Sequence, residues 1–270
     1  MAESPARLAG LGGIAEVNAL PPAIREQLYL RLVPEELFRA LGFERAALRL
    51  GEPDAPVRIS APDGGAWARV EVRPAPGDRD PTLVIDVGMS AFAVPELAFV
   101  QLTDVTAPRY DIDRDREGQD TLFGTASRNI SEEVRALDAG LGPGQVRRGL
   151  RMLGRVLECM DGFCRLLGSE FYLVEPLFYH SAILYERRGC DYLLGRERME
   201  EIDAGFGPGG ALRARLDDST PFRRDHFAGS VRGRSWAIHD AILGEPYSGV
   251  KMYRVPGHDA GVSTFTGSAY

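Results

Sequence analysis

The chain has 270 residues with a formal net charge of -7, and 44% of its residues are hydrophobic against 26% charged. This balance is ordinary for a globular protein with a buried core, and it excludes disordered and fibrous architectures. The acidic excess excludes the basic footprint that nucleic acid requires, so a small-molecule partner is expected. At roughly 100–200 residues per domain, the length predicts one large domain or two small ones.

The N-terminal sequence lacks the charged-then-apolar layout of a secretory signal. The longest apolar stretch, residues 83–102, is interrupted by Asp86, Pro95 and Glu96 and is therefore not expected to span a membrane. These features predict a cytoplasmic protein with no membrane partner. The three cysteines contain no C-x-x-C pair and are expected to be free thiols rather than a disulfide framework.

Residues 1–20 are rich in small side chains and are expected to be frayed. Apolar residues then recur at helical spacing from Pro21 to Leu41, and Gly42 is placed to end the second of two helices. Residues 47–104 alternate between apolar and polar side chains, with Gly- and Pro-containing turns between the runs. This pattern predicts an antiparallel meander whose strands include 57–59, 67–72, 82–87 and 97–102.

The second half alternates between helical and strand patterns, after a polar loop at 105–130 and a short helix opened by Ser131. The spacing predicts helices at 145–167, 181–188, 196–202, 211–216 and 234–243, and strands at 171–174, 190–194 and 250–255. The predicted fold class is α+β: N-terminal helices, a central mostly antiparallel sheet and a C-terminal α/β half. The expected segments are 1–20 (flexible), 21–130 (helices and meander) and 131–270 (α/β half).

A glycine-rich turn precedes the longest predicted helix. Gly142 and Gly144 leave backbone amides open, Gln145 would begin the helix, and Arg147 and Arg148 would add positive charge to its first turns. Helix N-termini bind anions through free N–H groups and the helix dipole. The turn is therefore a candidate cradle for a pyrophosphate, and the alternative is an ordinary turn that starts a helix.

Residues 140–192 resemble the last conserved segment of the GCN5-related N-acetyltransferase superfamily. Gly142 and Gly144 match the Gly-x-Gly of that family's loop, and Leu184-Tyr185-Glu186-x-x-Gly189 matches its later helix motif. The resemblance implies an acyltransferase core in which the loop holds the pyrophosphate of acyl-CoA. It also implies that Tyr185 is the general acid that protonates the departing thiolate.

The leading functional hypothesis is transfer of an acyl group from acyl-CoA to a small-molecule amine, with Glu175 as the candidate base at the end of a strand. A non-enzymatic alternative is a ligand-binding module that keeps this architecture without its chemistry. The segment 229–236 offers Arg232 and Arg234 to an anionic substrate, although a helix-capping turn explains it equally well.

The main rival hypothesis is a mononuclear Fe or Zn enzyme. All four histidines lie in the last third of the chain, with carboxylates close to them in sequence, and imidazole and carboxylate ligands suit both metals. None of the usual metal-binding spacings occurs, so such a site would be assembled from separate elements. Its candidate ligands are His180 and His239 together with His226, His258 or Glu175.

Overall fold

The computed structural model describes residues 11–48, 50–267 and 269–270. This part of the chain contains eight α-helices and seven β-strands. The helices are α1 (Ile14–Asn18), α2 (Pro22–Tyr29), α3 (Glu35–Leu41), α4 (Ile130–Asp138), α5 (Leu153–Leu166), α6 (Tyr179–Glu186), α7 (Arg196–Phe206) and α8 (Val231–His239). The strands are β1 (Val57–Ser60), β2 (Trp67–Val72), β3 (Leu83–Met89), β4 (Pro95–Leu102), β5 (Tyr172–Val174), β6 (Asp191–Leu194) and β7 (Lys251–Arg254).

The strands form a mixed, mostly antiparallel sheet in the order β1-β2-β3-β4-β5-β7-β6. The first four pair as an antiparallel meander, which confirms the sequence prediction for residues 47–104. β5 lies parallel to β4, and a parallel pair requires a long crossover, which here contains α5. The predicted α+β fold class with a central sheet is confirmed. No helix in the described ranges is long and apolar enough to cross a membrane.

The chain divides into two compact units. Unit 1 comprises the chain up to Val105 together with Gly149–Glu175 and Tyr253–Asp259, and it holds β1 to β5 and α5. Unit 2 comprises Thr106–Arg148, Pro176–Met252 and Ala260–Tyr270, and it holds α4, α6, β6, α7 and α8. Each unit therefore takes segments from both halves of the sequence.

The expectation that residues 1–20 are frayed is wrong for the described residues 11–20, which include α1; residues 1–10 lie outside the described ranges. Ile14 and Val17 are fully buried. The Asn18 amide donates to the carbonyls of Gly65 (2.6 Å) and Trp67 (2.9 Å), and its own oxygen accepts from the Tyr29 hydroxyl (2.6 Å). These buried contacts hold the segment against unit 1.

The long helix predicted from Gln145 begins only at Leu153, so the predicted start is wrong. Residues 145–152 are irregular, and Arg151 has a left-handed backbone with φ 59°. Gly149 passes so close to the end of β4 that a Cβ on it would lie 3.2 Å from the Leu102 carbonyl oxygen. A continuous helix cannot contain a left-handed residue, so α5 starts after it. Its buried face is formed by Val156, Leu157, Met160, Phe163 and Cys164.

The core of unit 2 is organised around Trp236, which is fully buried on α8. Its indole N–H donates to the Leu141 carbonyl (2.7 Å), and its ring stacks on Phe222 at 5.1 Å. α8 begins at Val231 rather than at 234 because Ser230 caps it, with the hydroxyl accepting from the Gly233 N–H (3.1 Å). This geometry confirms the capping interpretation of the 229–236 segment. The helix predicted at 211–216 is reduced to a 3₁₀ turn, Arg213–Arg215.

Candidate functional site

In unit 1, strand β4 contains a bulge just after its contact with β5. The register between β3 and β4 shifts between Asp86 and Val87, whose partners are Phe99 and Leu97, so Ala98 is an extra residue. β5 pairs with β4 only through Glu96↔Leu173 and Leu97↔Val174. A bulge bends its strand and is common beside functional sites. β4 therefore parts from its parallel neighbour at Ala98.

Beyond the bulge, one edge of β4 is open. Thr103 N–H donates to the Thr82 carbonyl (2.8 Å), and peptide groups alternate in direction along a strand. The N–H and C=O of Gln101 therefore face β3. The N–H and C=O of Val100 and of Leu102 face the opposite edge. No strand of the described chain pairs with that edge after Leu97. An extended ligand with amide groups can bind such an edge as an added strand.

The N-terminus of α5 lies near the same end of β4, because Gly149 in the preceding segment contacts the Leu102 carbonyl. Among the described residues, no side chain caps α5, and no acidic residue occupies its first turn. The first N–H groups of a helix have no intrahelical partners and carry the positive end of the dipole. Arg151, exposed two residues before the helix, adds a positive charge. These features suit a phosphate-bearing ligand.

The predicted cradle at Gly142–Gln145 is largely occupied by the chain itself. Gly142 N–H donates to the Gln145 side-chain oxygen (2.7 Å). Gly144 has φ +80°, and a Cβ on it would lie 2.5 Å from the Phe178 ring. The Arg147 guanidinium donates to the Ala107 carbonyl, and Arg148 is exposed. No helix begins at Gln145, so the predicted coupling of these residues to a helix N-terminus is wrong.

The two predicted catalytic residues lie in different units. Glu175, in unit 1, is exposed and directly follows β5. Tyr185, in unit 2, lies on α6 and is 5% exposed. Burial, with a smaller contribution from Cys190, raises the pKa of Tyr185 above its usual range, so the phenol stays protonated. Its hydroxyl has no hydrogen-bond partner in the described residues, but the oxygen is not completely buried.

Two of the four histidines come together in unit 2. Phe178 stacks on His180 (centroids 5.5 Å apart) and meets His239 edge-on (6.0 Å). His180 is buried, with Nδ1 2.8 Å from the Ser235 hydroxyl. His226 and His258 are exposed, the former in unit 2 and the latter in unit 1. Within the described ranges, no three His, Cys, Asp or Glu side chains form a group that could hold a metal ion.

A charged network that no sequence pattern predicted surrounds His239. Glu133 Oε1 lies 3.3 Å from His239 Nε2, and Arg128 binds both Glu133 and Asp240. Arg223 and Thr220 also donate to Asp240, at 3.0 and 2.8 Å. Arg128 and Asp240 are 112 residues apart, so no local spacing connects them. The adjacency of His239 and Asp240 is the one local signal that marks this region.

Comparison of the chain with protein-family models, with curated proteins and with solved structures finds no match. The functional interpretation therefore depends on the residues and their geometry.

Proposed function

We propose that the protein transfers an acyl group from acyl-CoA to a small-molecule amine. The observation that supports this best is the open edge of β4 at Val100, where β4 parts from the parallel strand β5. Acyl-CoA carries its thioester on an extended arm with two amide groups, followed by a pyrophosphate. An arm of this kind can donate to and accept from the free peptide group of Val100 as an added strand does.

The features of unit 1 suit the two ends of such a ligand. The uncapped N-terminus of α5 and Arg151 provide N–H groups and a positive charge for the pyrophosphate. The carboxyl ends of parallel strands are the usual place for ligands in α/β sheets. Glu175 directly follows the carboxyl end of β5 and is exposed to solvent.

In the proposed reaction, the amine nitrogen attacks the thioester carbonyl carbon, the C–N bond forms and the C–S bond breaks. Glu175 is assigned the removal of the amine proton, and the departing thiolate takes its proton from solvent.

Titration calorimetry with acetyl-CoA tests the binding mode. Val100→Pro removes an N–H that faces the open edge and leaves the bonds between β4 and β3 in place. We expect affinity to fall at least tenfold, equivalent to about 1.4 kcal/mol. Val100→Ala, which shortens the side chain but keeps the N–H, should bind much as the wild type does. Thermal melts of both variants verify that the fold survives.

Turnover tests the chemistry separately. Glu175→Gln should retain acetyl-CoA affinity and lower the rate of transfer to an amine, because the carboxylate removes the amine proton only in the transition state. Binding by the wild type without transfer to any of a panel of amines would favour the binding-module alternative. Absence of binding at millimolar acetyl-CoA would overturn the proposal.

A further inference from the structure

The imidazole of His239 in unit 2 is held by a carboxylate. Its Nε2 lies 3.3 Å from Glu133 Oε1, and the Glu133 side chain is only 3% exposed. Arg128 donates to both oxygens of Glu133 and, through its other nitrogen, to Asp240 at 2.9 Å. The orientation of the ring is therefore determined by packing and by a fixed hydrogen-bond partner.

The ionisation of Glu133 determines which ring nitrogen of His239 carries the proton. Burial alone would raise the pKa of Glu133, but the hydrogen bonds from His239 and Arg128 and the charge of Arg128 outweigh it and hold that pKa below its usual range. An ionised carboxylate can only accept hydrogen bonds, so Nε2–H donates to it. In the neutral imidazole, Nδ1 then carries a free lone pair.

That lone pair is accessible. Nδ1 has no hydrogen-bond partner in the described residues, and it is not completely buried. The His239 side chain as a whole is 11% exposed. A histidine with a carboxylate partner on one ring nitrogen and an open lone pair on the other has the arrangement of a general base.

Apolar side chains border this imidazole. Phe178 meets His239 edge-on, and Phe123, half of which is exposed, packs edge-on against Phe178 at 6.1 Å. Leu122 and Phe123 have left-handed φ values of 49° and 58°, and the Gly124 backbone lies so close that a Cβ would be 2.6 Å from His239 Cε1. Left-handed φ values in non-glycine residues are strained and are concentrated at ligand clamps and active sites.

We propose that His239 is the base of a further small-molecule site, within unit 2, whose ligand is a phenol with an electron-withdrawing substituent on its ring. The planar ring of the ligand would pack against Phe123 and Phe178, and its hydroxyl would meet Nδ1. The O–H bond breaks, the proton passes to Nδ1, and the products are a phenolate and an imidazolium paired with Glu133. Such a phenol fits better than an aliphatic alcohol, because electron-withdrawing substituents on its ring make the hydroxyl acidic enough to yield its proton to imidazole.

The charges around His239 determine how well this ion pair is stabilised. The Glu133 carboxylate on α4 faces His239 directly, and Arg128 pairs with Glu133 and with Asp240, which follows α8. His180 on α6 remains neutral, because burial lowers its pKa to about 3. Arg128 is already paired with both carboxylates. The Glu133 carboxylate is the partner closest to the imidazolium.

The test uses the full chain, with 4-nitrophenol as the probe. This probe is chosen because nitrophenolate absorbs visible light and nitrophenol does not. At a pH slightly below the ionisation of the free probe, titration with the wild-type protein should produce a saturable rise in phenolate absorbance. His239→Gln should reduce that signal at least tenfold, while His226→Gln, which removes an exposed histidine of the same unit, should behave as the wild type does. Phe123→Ala should weaken binding several-fold and leave the signal at saturation unchanged.

Glu133→Gln distinguishes positioning from simple packing. It should still bind the probe, with a smaller phenolate fraction and a shifted pH profile, because Gln cannot stabilise the imidazolium as a carboxylate does. Equal signals from wild type and His239→Gln, with both folded by circular dichroism, would overturn the proposal. So would a signal that is lost in His226→Gln, or one that does not saturate.

Discussion

At Gly144 the chain turns closely against the aromatic ring of Phe178. In the sequence, its lack of a side chain suggests room for a phosphate. In the structure, its φ of +80° and the Phe178 ring explain the glycine instead, because any Cβ would be 2.5 Å from an aromatic carbon. Its role is therefore to let the chain turn closely against Phe178.

Gly144→Ala should accordingly destabilise the protein rather than weaken ligand binding. We expect a loss of about 2–5 kcal/mol in unfolding free energy, from the left-handed backbone and from displacement of the ring. Gly77→Ala is the matched control, because its Cβ would meet no atom within 4 Å and its φ is not left-handed. Chemical denaturation of both variants measures the difference, and similar losses in the two would contradict this interpretation.

At the scale of elements, α5 links the two parallel strands and positions both ends of the proposed acyl-CoA site. Its Asp161 carboxylate accepts from the Tyr172 hydroxyl on β5 (3.0 Å) and from two nitrogens of Arg254 on β7 (2.9 and 3.0 Å). Its Phe163 is fully buried and contacts Tyr29 with centroids 5.7 Å apart. The buried face of the helix therefore begins at Val156, whereas Leu153 at its first position is only half-buried.

Truncations along α5 should reflect this asymmetry. Phe163→Ala should cost about 3–5 kcal/mol, as is usual when a fully buried aromatic is removed. Leu153 is only half-buried at the first helical position, so Leu153→Ala should cost no more than about 2 kcal/mol. Urea denaturation of the two variants checks the order, and a larger loss for Leu153→Ala would show that the helix is held by its N-terminal end.

At the scale of the whole molecule, the protonation of His180 makes the free energy of unfolding depend on pH. Burial, followed by the charges of Arg232 and His239, lowers its pKa from 6.5 to about 3. Below pH 6.5 the unfolded chain binds a proton at this residue and the folded chain does not, so acid favours unfolding. The contribution of His180 to stability is complete above pH 6.5 and is lost as the pH falls toward 3.

Because of His180, the free energy of unfolding should fall by about 2 kcal/mol between about pH 7 and pH 5. The slope should approach about 1.4 kcal/mol per pH unit at the acidic end. His180→Gln should be less stable at neutral pH, because it disrupts the contact with Ser235, but its stability should vary less over this range. His226→Gln should keep the pH dependence of the wild type. Denaturant midpoints across the range provide the test, and parallel profiles for wild type and His180→Gln would refute the assignment.

The sequence by itself determined most of the regular elements and the fold class. Alternation of apolar and polar residues predicted β1 to β4, and helical spacing predicted α2, α3, α6 and α7. Both periodicities depend on which side chains of one short segment face the core, so they can be read without knowing its neighbours. Gly42, with its left-handed φ of 73°, ends α3 as predicted for the same local reason.

Only the tertiary structure decided the features that carry the functional proposals. The bulge at Ala98, the parting of β4 from β5 and the start of α5 at Leu153 depend on strand register and on the approach of Gly149 to Leu102. The pairing of His239 with Glu133 joins residues 106 positions apart. Contacts of this range are determined by the packing of whole elements, and no periodicity within a single segment records them.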